Sequence, residues 1–281
     1  MNRRDLRSSP VAPKREQERE TPPGDEGWCW GKHPVLALLK EAPDRVLKVL
    51  LLQKSGGWEP VLALCAAHHI PLVWADAHAL DRCCEGENHQ GIAAQMAPVP
   101  LYGPEDLPGL FPEKGAPALA VVLDHLQDPH NMGAIVRTAE AAGAGAVIFP
   151  RRRGVLPGGT VAKASAGAAL RLPLVAVTNI ARTLQDLQQE GFWTVGLDAG
   201  APESLWSSSA LPVRMALVVG AEGEGLSRLV AARCDELRSI PMRGATGSLN
   251  ASVAAALGLF EWVRQRGATV GSPLTSGGTS R

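Results

Sequence analysis

The sequence predicts an α/β protein in which a parallel sheet carries helices on both faces, preceded by a small α/β module. Beyond residue 117, short runs of continuous apolar residues alternate with stretches of helical periodicity. Strands that are apolar throughout and joined by helices are typical of parallel sheets, because both faces of such a sheet are buried. Before residue 98 the same alternation occurs on a smaller scale, and a proline-rich stretch separates the two parts.

The first module spans residues 28–98. Its expected helices are HPVLALLKEA and WEPVLALCAAHH, and its expected strands are VLKVLLLQ, PLVWAD and GIAAQM. We interpret residues 99–117 as a linker, because six prolines fall between residues 98 and 117. Such a composition favours extended chain and does not fit inside a sheet.

The second unit spans residues 118–267. Its expected strands are ALAVVLD, AVIFP, LPLVAV, WTVGLD, MALVVGA and ELRSIP. Between them, AIVRTAEAAG and IARTLQDLQQEG have helical spacing, and GSLNASVAAALGLFEWV predicts a long final helix. Sites in folds of this kind lie at the carboxyl ends of the strands, so the loops that follow the strands are the places to search for function.

Composition limits the possible classes of protein. The chain has 281 residues, 45% of them hydrophobic, with 28 basic and 28 acidic side chains, which suits one or two folded domains. No apolar stretch approaches the roughly 18 residues of a membrane span, so we expect no membrane partner. The five cysteines show no Cys-x-x-Cys spacing, which favours a reducing, cytoplasmic setting. Adjacent His68 and His69 point apart, and we expect no metal site.

Both ends of the chain differ from the rest. Residues 1–27 hold six basic and six acidic residues and almost no large apolar side chains, which predicts a disordered tail. The acidic residues also argue against an organelle transit peptide. We interpret residues 268–281 as a second, flexible tail.

The first strand-end loop is LDHLQDPHNMGAIVRTAEAAGA, residues 123–144. Asp128-Pro129 is expected to end the strand, Asn131 to cap the helix, and Gly143 to follow its last turn. Arg137 has two interpretations. A lone arginine at a helix edge commonly reaches into solvent, whereas an arginine near a strand-to-helix loop can bind an anion or a phosphate.

The second loop is VVGAEGEGLSRLV, residues 218–230. Its G-x-x-G-x-G spacing fits neither the dinucleotide fingerprint nor the Walker loop, which argues against a nicotinamide-dependent enzyme. Glu222 and Glu224 would repel a pyrophosphate and suit a cofactor with positive charge. The glycines could equally form a tight turn without a ligand.

The third loop is SIPMRGATGSLNASV, residues 239–253, which leads into the final helix. A helix needs one cap, yet Ser248, Asn250 and Ser252 all stand at this helix start. Surplus polar groups there are either solvated or turned toward a ligand.

The three loops together resemble the motifs of a known family. N-x-G-x-x-x-R-T-A at 131–139, V-G-A-E-G-E-G-L at 219–226 and I-P-M-x-G-x-x-x-S-L-N-x-S-V-A at 240–254 are similar, in order and spacing, to those of the SpoU-type 2′-O-ribose RNA methyltransferases of the SPOUT superfamily. G-K-H-P-V-x-A-L-L at 31–39 and H-Q-G-I at 89–92 resemble the substrate-binding domain, related to a ribosomal-protein fold, of the bacterial members that methylate a guanosine ribose in large-subunit (23S) ribosomal RNA. The resemblance covers residues 28–266.

This resemblance implies a C-terminal deep trefoil knot, S-adenosylmethionine as cofactor, RNA as partner, and a homodimer whose active site draws on both subunits. By motif match, the catalytic positions are Asn131, Arg137, Glu222, Ser248 and Asn250. The cofactor positions are Gly220, Ile240 and Leu249, with Gly196 and Met242 added. Two residues depart from the family pattern: Gly247 replaces a common serine, and Leu170 stands where an acidic residue is frequent.

The resemblance also suggests Arg137 as the base that takes the ribose proton. Because a guanidinium holds its own proton strongly, we expect it instead to clamp the neighbouring phosphate and to stabilise the developing alkoxide. Arg151, Arg152 and Arg153 are either RNA contacts or a solvated loop. Two other functions stay open, namely the same chemistry on transfer RNA and a non-catalytic RNA-binding or assembly factor on the same fold.

Overall fold

The computed structural model describes residues 27–53, 56–84, 86–97, 99–152, 154–244 and 247–267. The two predicted tails lie outside these residues, except that Gly27 begins the first strand. No helix in the described ranges is long and apolar enough to cross a membrane.

The first unit is built on a four-stranded sheet. Its elements are β1 (Gly27–Trp30), α1 (Lys32–Glu41), β2 (Val46–Leu52), α2 (Glu59–Ala67), β3 (Leu72–Ala75), α3 (Ala77–Cys83) and β4 (Ile92–Met96). The strand order is β1-β4-β2-β3, with β4 antiparallel to both neighbours and β2 parallel to β3. Val35, Leu38 and Leu39 of α1 recur at helical spacing, and this face of α1 belongs to the same core as the buried Val49 and Leu51 of β2.

The stretch expected to be a linker is part of the folded structure. Leu101–Tyr102 forms β5, which pairs in parallel with the strand Leu174–Val177, and Pro104–Leu110 forms a 3-10 helix whose Leu107 is buried. The prediction that this stretch stays outside a sheet was therefore wrong for two residues. An edge strand uses its backbone groups on one side only, so neighbouring prolines do not prevent it.

The second unit is a seven-stranded sheet with helices. Its elements are β6 (Ala118–Leu123), α4 (Pro129–Ala141), β7 (Ala146–Pro150), α5 (Gly159–Ala164), β8 (Leu174–Val177), α6 (Ile180–Gln189), β9 (Trp193–Leu197), β10 (Arg214–Val219), α7 (Arg228–Ala231), β11 (Glu236–Arg238) and α8 (Ala251–Gln265). The strand order is β11-β9-β10-β6-β7-β8-β5, and every neighbouring pair is parallel. The predicted parallel sheet is confirmed.

Both faces of this sheet are buried, as the continuous apolar strands require. On the central strand β6, Leu119, Val121 and Leu123 belong to a core shared with α4 and α8. The alternate residues Ala118, Ala120 and Val122 belong to a second core shared with α6 and α7. Because successive side chains of a strand point to opposite faces, one apolar run supplies both cores.

Candidate active site

The second and third predicted loops meet at the carboxyl edge of the seven-stranded sheet, around a cavity of about 250 Å³. The lining residues come from the ends of β9, β10 and β11 and from the start of α8. They are Leu197–Ala199, Val219–Gly225, Arg238, Ile240, Met242, Gly247–Leu249, Ala251 and Ala254. This is the position at which open parallel sheets bind ligands.

The start of α4 differs in detail from the prediction. Asp128, not Asn131, is the N-cap, and its carboxylate accepts a hydrogen bond from the backbone N–H of His130 at 2.9 Å. The helix begins at Pro129, because proline suits the first turn, where its missing N–H is no loss. Asn131 is therefore free to point inward, and it is buried. At the other end, Gly143 has a φ of 77° after the C-cap Ala142, as predicted.

Three predicted site residues form one hydrogen-bonded group. The Nδ2 of Asn131 donates to Oε2 of Glu222 at 3.2 Å, and the Nδ2 of Asn250 donates to the same oxygen at 3.3 Å. Asn250 also donates to Oδ1 of Asn131 at 2.9 Å. Residues far apart in sequence thereby join the starts of α4 and α8 to the glycine loop.

Asn250 is the residue that caps α8. Its Oδ1 accepts hydrogen bonds from the backbone N–H of Ser252 at 2.9 Å and of Val253 at 3.4 Å, and from the Ser252 hydroxyl at 2.6 Å. The amide oxygen of Asn250 thus caps the helix, while its nitrogen donates to Asn131 and Glu222. Ser248 is exposed and lines the cavity. Of the three polar residues at this helix start, Asn250 therefore caps the helix, Ser252 bonds to the cap and Ser248 faces the cavity.

The glycine loop after β10 folds back on itself. Ala221 and Gly225 exchange two backbone hydrogen bonds of 3.1 and 2.9 Å. A Cβ atom on Gly220 would stand 2.1 Å from the backbone carbon of Gly225, so no larger residue fits there. Gly223 has a φ of 81°, which favours glycine. The three glycines thus serve a close backbone crossing and a turn that brings Glu222 to the cavity.

Arg137 lies apart from this polar group within one chain. Its side chain is exposed, and within the described ranges it makes no ion pair or hydrogen bond. At about 100° per helical residue, Arg137 is turned roughly 120° away from Asn131 around α4. Its neighbours on the helix surface, Ala134 and Thr138, line a shallow groove of about 650 Å³ against α8.

Four of the five predicted cofactor positions line the cavity: Gly220, Ile240, Leu249 and Met242. Gly196 does not. It lies inside β9, where a Cβ would stand 2.7 Å from Leu226 and Leu237, so its glycine is required by packing under the cavity. The expectation that it contacts the cofactor directly therefore finds no support in its position.

Two charged cavity residues escaped the sequence analysis. Asp198 follows β9 directly and stood at the end of the predicted strand WTVGLD, so its position at a strand end was an available signal. Arg238 is buried at the end of β11, where it contacts Glu236 at 3.0 Å and donates to the Ser209 carbonyl oxygen at 3.1 Å. Its position at the end of the predicted strand ELRSIP was the available signal for this second one.

In the described part of the chain, no group of three or more His, Cys, Asp or Glu side chains is arranged to hold a metal ion. The cavity instead combines open space with acidic side chains. A Cβ on Gly223, Gly225 or Gly247 would meet nothing within 4 Å, so these positions leave room at the cavity wall.

Comparisons with known proteins identify the family to which the chain belongs. The profile of the SpoU rRNA methylase family matches residues 118–260, and the profile for RNA 2′-O ribose methyltransferase substrate binding matches residues 28–102. The chain belongs to the SpoU rRNA methylase family. It is an RNA 2′-O-methyltransferase of a family that uses S-adenosylmethionine as its methyl donor.

Relatives and solved structures agree with this assignment. The 23S rRNA (guanosine-2′-O-)-methyltransferase RlmB of Salmonella typhimurium is 44% identical over 239 residues, which is 84% of this chain and 98% of the relative. RlmB of Escherichia coli is 43% identical over the same shares of both chains. The SpoU methyltransferase AviRb of Streptomyces viridochromogenes superposes with a TM-score of 0.70 at 26% identity, over 86% of this chain and 90% of AviRb. AviRb has also been solved in complex with AdoMet.

Proposed function

We propose that this SpoU-family protein methylates the 2′-hydroxyl of a guanosine in 23S ribosomal RNA. Its RlmB relatives are 23S rRNA (guanosine-2′-O-)-methyltransferases, and their activity and substrate support the proposal. The observation that carries it is the intact group of Asn131, Glu222 and Asn250 beside a cavity at the carboxyl edge of the sheet. The cap formed by Asn250 stabilises α8, whereas the contacts of both amides with Glu222 hold a carboxylate at the cavity.

The cavity suits S-adenosylmethionine by chemistry and by shape. Its wall carries the carboxylates of Asp198, Glu222 and Glu224 and one cation, Arg238, which is already paired with Glu236 at 3.0 Å; the remaining negative charge suits a positively charged ligand. Gly220, Ile240, Leu249 and Met242 would hold the cofactor, largely through backbone groups, and Gly196 would support the floor from below. When bound, S-adenosylmethionine supplies an electrophilic methyl group attached to a positively charged sulfur.

The protein's own residues position the acceptor. Holding reactants in near-attack geometry contributes roughly 7–11 kcal/mol in favourable cases, so orientation dominates this account. Asn131 and Asn250 fix the Glu222 carboxylate, and Ser248 offers a hydroxyl toward the ribose. Arg137 clamps the neighbouring phosphate and stabilises the negative charge that develops on the ribose oxygen, while the ribose proton passes to water.

We further propose a homodimer that brings Arg137 to the partner's cavity. Arg137 is turned away from the polar group of its own chain, so the site is incomplete in a single copy. The groove beside it is lined by exposed apolar side chains of Trp206, Val253 and Phe260. A second copy that covers this face would bury them and add the missing guanidinium.

Three further expectations belong to this proposal. The C-terminal part of the second unit forms a deep trefoil knot, as family membership implies. Residues 28–98 select the RNA and residues 118–267 carry out the transfer, in keeping with the two family profiles. A cytoplasmic location follows from a ribosomal RNA substrate.

An in vitro assay tests the proposed substrate. The full-length protein and labelled S-adenosylmethionine are incubated with 23S rRNA, 16S rRNA or transfer RNA, and the digested nucleosides are separated. We expect label in 2′-O-methylguanosine from 23S rRNA alone. Label confined to transfer RNA would support the other substrate class, and cofactor binding without transfer to any RNA would favour a non-catalytic factor.

A further inference from the structure

The segment around α5 lies between the two units of the chain and contacts both. Ala162 of α5 belongs to the hydrophobic core of the first unit, and Leu170 packs against that same core. Leu170 is the position at which the sequence departs from an acidic residue frequent in the family. An apolar side chain suits this place, because it meets the core of the neighbouring unit.

Polar contacts flank this apolar contact on two sides. The Nζ of Lys163 lies 2.6 Å from Oε2 of Glu87 and 4.6 Å from the ring centre of Trp30. Arg171 pairs with Glu41 at the end of α1 and lies 2.9 Å from Oε1 of Glu140. Each cation thus joins the second unit to a different element of the first.

The same segment packs directly on the helix that carries Asn131 and Arg137. A Cβ on Gly133 would stand 2.4 Å from the Cβ of Ala164, so α4 and α5 meet at the closest distance that glycine permits. Glu140, which Arg171 contacts, also belongs to α4. A continuous chain of contacts therefore runs from the first unit through α5 to α4.

The turn after α5 is itself braced. Ser165 is fully buried, and its hydroxyl donates to the Ala162 carbonyl oxygen at 3.0 Å and accepts from the Ala169 N–H at 3.3 Å. Ala166 and Gly167 have φ values of 49° and 84°. Alanine is uncommon at positive φ, so the surrounding contacts hold this turn in one conformation.

We propose that Lys163 and Arg171 are positioning residues that lock the RNA-binding unit against α4, so that RNA held by residues 28–98 presents its acceptor ribose at a fixed distance from the site. This inference rests on the proposed function for its consequence in catalysis. Its structural part, the fixed relation between the two units, stands on the contacts alone. Neither side chain touches the cavity, so both act through the arrangement of the units.

The test uses the full-length variant Lys163→Glu/Arg171→Glu and a matched control, Arg182→Glu, which removes an exposed ion pair with Asp186 on α6. We expect small-angle scattering to show an expanded envelope for the double variant only. Because a single exposed ion pair is weak, the variant reverses both charges and sets carboxylates against Glu87 and Glu41; we expect the KM for RNA to rise about fivefold or more with cofactor affinity unchanged. Glu87→Lys and Lys163→Glu should each raise the KM for RNA when made alone. The two changes combined swap the charges of the pair and should return the KM to the wild-type value.

The outcomes separate the two proposals. An envelope and a KM equal to those of the wild type would overturn the positioning role. If the double variant has an expanded envelope but the wild-type protein methylates no RNA, the contact between the two units is supported and the proposed substrate is refuted. A kcat loss with an unchanged envelope would assign Lys163 and Arg171 a direct role and also overturn the proposal.

Discussion

The Nδ2 of Asn250 donates a hydrogen bond to Oδ1 of Asn131 at 2.9 Å, and this contact joins the first turn of α4 to the N-cap of α8. The two residues are separated by 119 positions in the sequence. Both amide nitrogens also reach Oε2 of Glu222. One carboxylate oxygen is therefore fixed by two amides that come from two different helix starts, and this arrangement is the structural centre of the site.

Substitutions of the two asparagines should separate stability from turnover. Asn250→Ala removes both the helix cap and the polar contacts, so we expect about 1 kcal/mol less stability together with a large loss of turnover. Asn131→Ala keeps Asn250 as the cap of α8, so its Tm should change less. Turnover should still fall about tenfold, because the contact of Asn131 with Glu222 is lost. Thermal unfolding and single-turnover methyl transfer measure the two effects. Wild-type turnover in both variants would remove the pair from the site.

Gly220 allows the backbone to pass close to Gly225, and a substitution at Gly220 tests this contact. Gly220→Ala places a Cβ 2.1 Å from the Gly225 carbonyl carbon, so the loop must move. We expect cofactor affinity in calorimetry to fall below detection, because the moved loop forms the cavity wall. Gly109→Ala is the control, since a Cβ there meets nothing within 4 Å and the residue lies outside the cavity, so its cofactor affinity should match that of the wild type. Equal cofactor affinity in Gly220→Ala and the wild type would contradict the role of the crossing.

The apolar groove predicts the oligomeric state. Phe260 is 48% exposed in a single chain, and we expect a second copy to cover it. Phe260→Glu should shift the sedimentation coefficient from dimer to monomer and abolish methyl transfer, because each site would lose the partner's guanidinium. Trp74→Glu changes an equally exposed side chain on β3 and should leave the dimer intact. A monomeric wild-type protein with full activity would exclude the dimeric site.

Buried thiols predict how stability responds to alkaline pH. Burial raises the pKa of Cys29, Cys84 and Cys234 to about 12, from an ordinary value of 9.0. In the unfolded chain these thiols ionise near pH 9, whereas the folded protein keeps them protonated, so unfolding becomes easier as the pH rises from 9 toward 12. Denaturant midpoints measured between pH 8 and 11 should fall, and they should fall less in Cys29→Ala. A flat profile would contradict the protonated state of these thiols.

Local patterns predicted most of the fold. Mainly apolar runs identified the strands β6 to β10, because a strand whose two faces are both buried carries apolar side chains at successive positions. The strand β11 was predicted within ELRSIP although two of its three residues are charged. The edge strand β5 was missed, since two residues between prolines carry no pattern that distinguishes a strand from extended chain. The N-cap of α4 was also misassigned: Asp128 and Asn131 are both good caps, and the choice depends on the buried partners that Asn131 finds in Glu222 and Asn250.

The candidate site could be predicted only as far as its motifs. Glu222, Ser248 and Asn250 lie at strand ends or a helix start, where chemistry is expected. The orientation of Arg137 could not be predicted, because it depends on which face of α4 meets α8. The close approach of Gly133 to Ala164 and the place of Leu170 in the core of another unit likewise arise from contacts between distant segments.

The most direct test is a map of ribose methylation on ribosomal and transfer RNA from cells that lack this protein, complemented with the wild type or with Arg137→Ala. We expect one guanosine of 23S rRNA to lose its 2′-O-methyl group, the wild type to restore it, and Arg137→Ala to restore about one hundredth or less while still binding S-adenosylmethionine. Unchanged methylation of 23S rRNA without the protein, or full restoration by Arg137→Ala, would contradict the account.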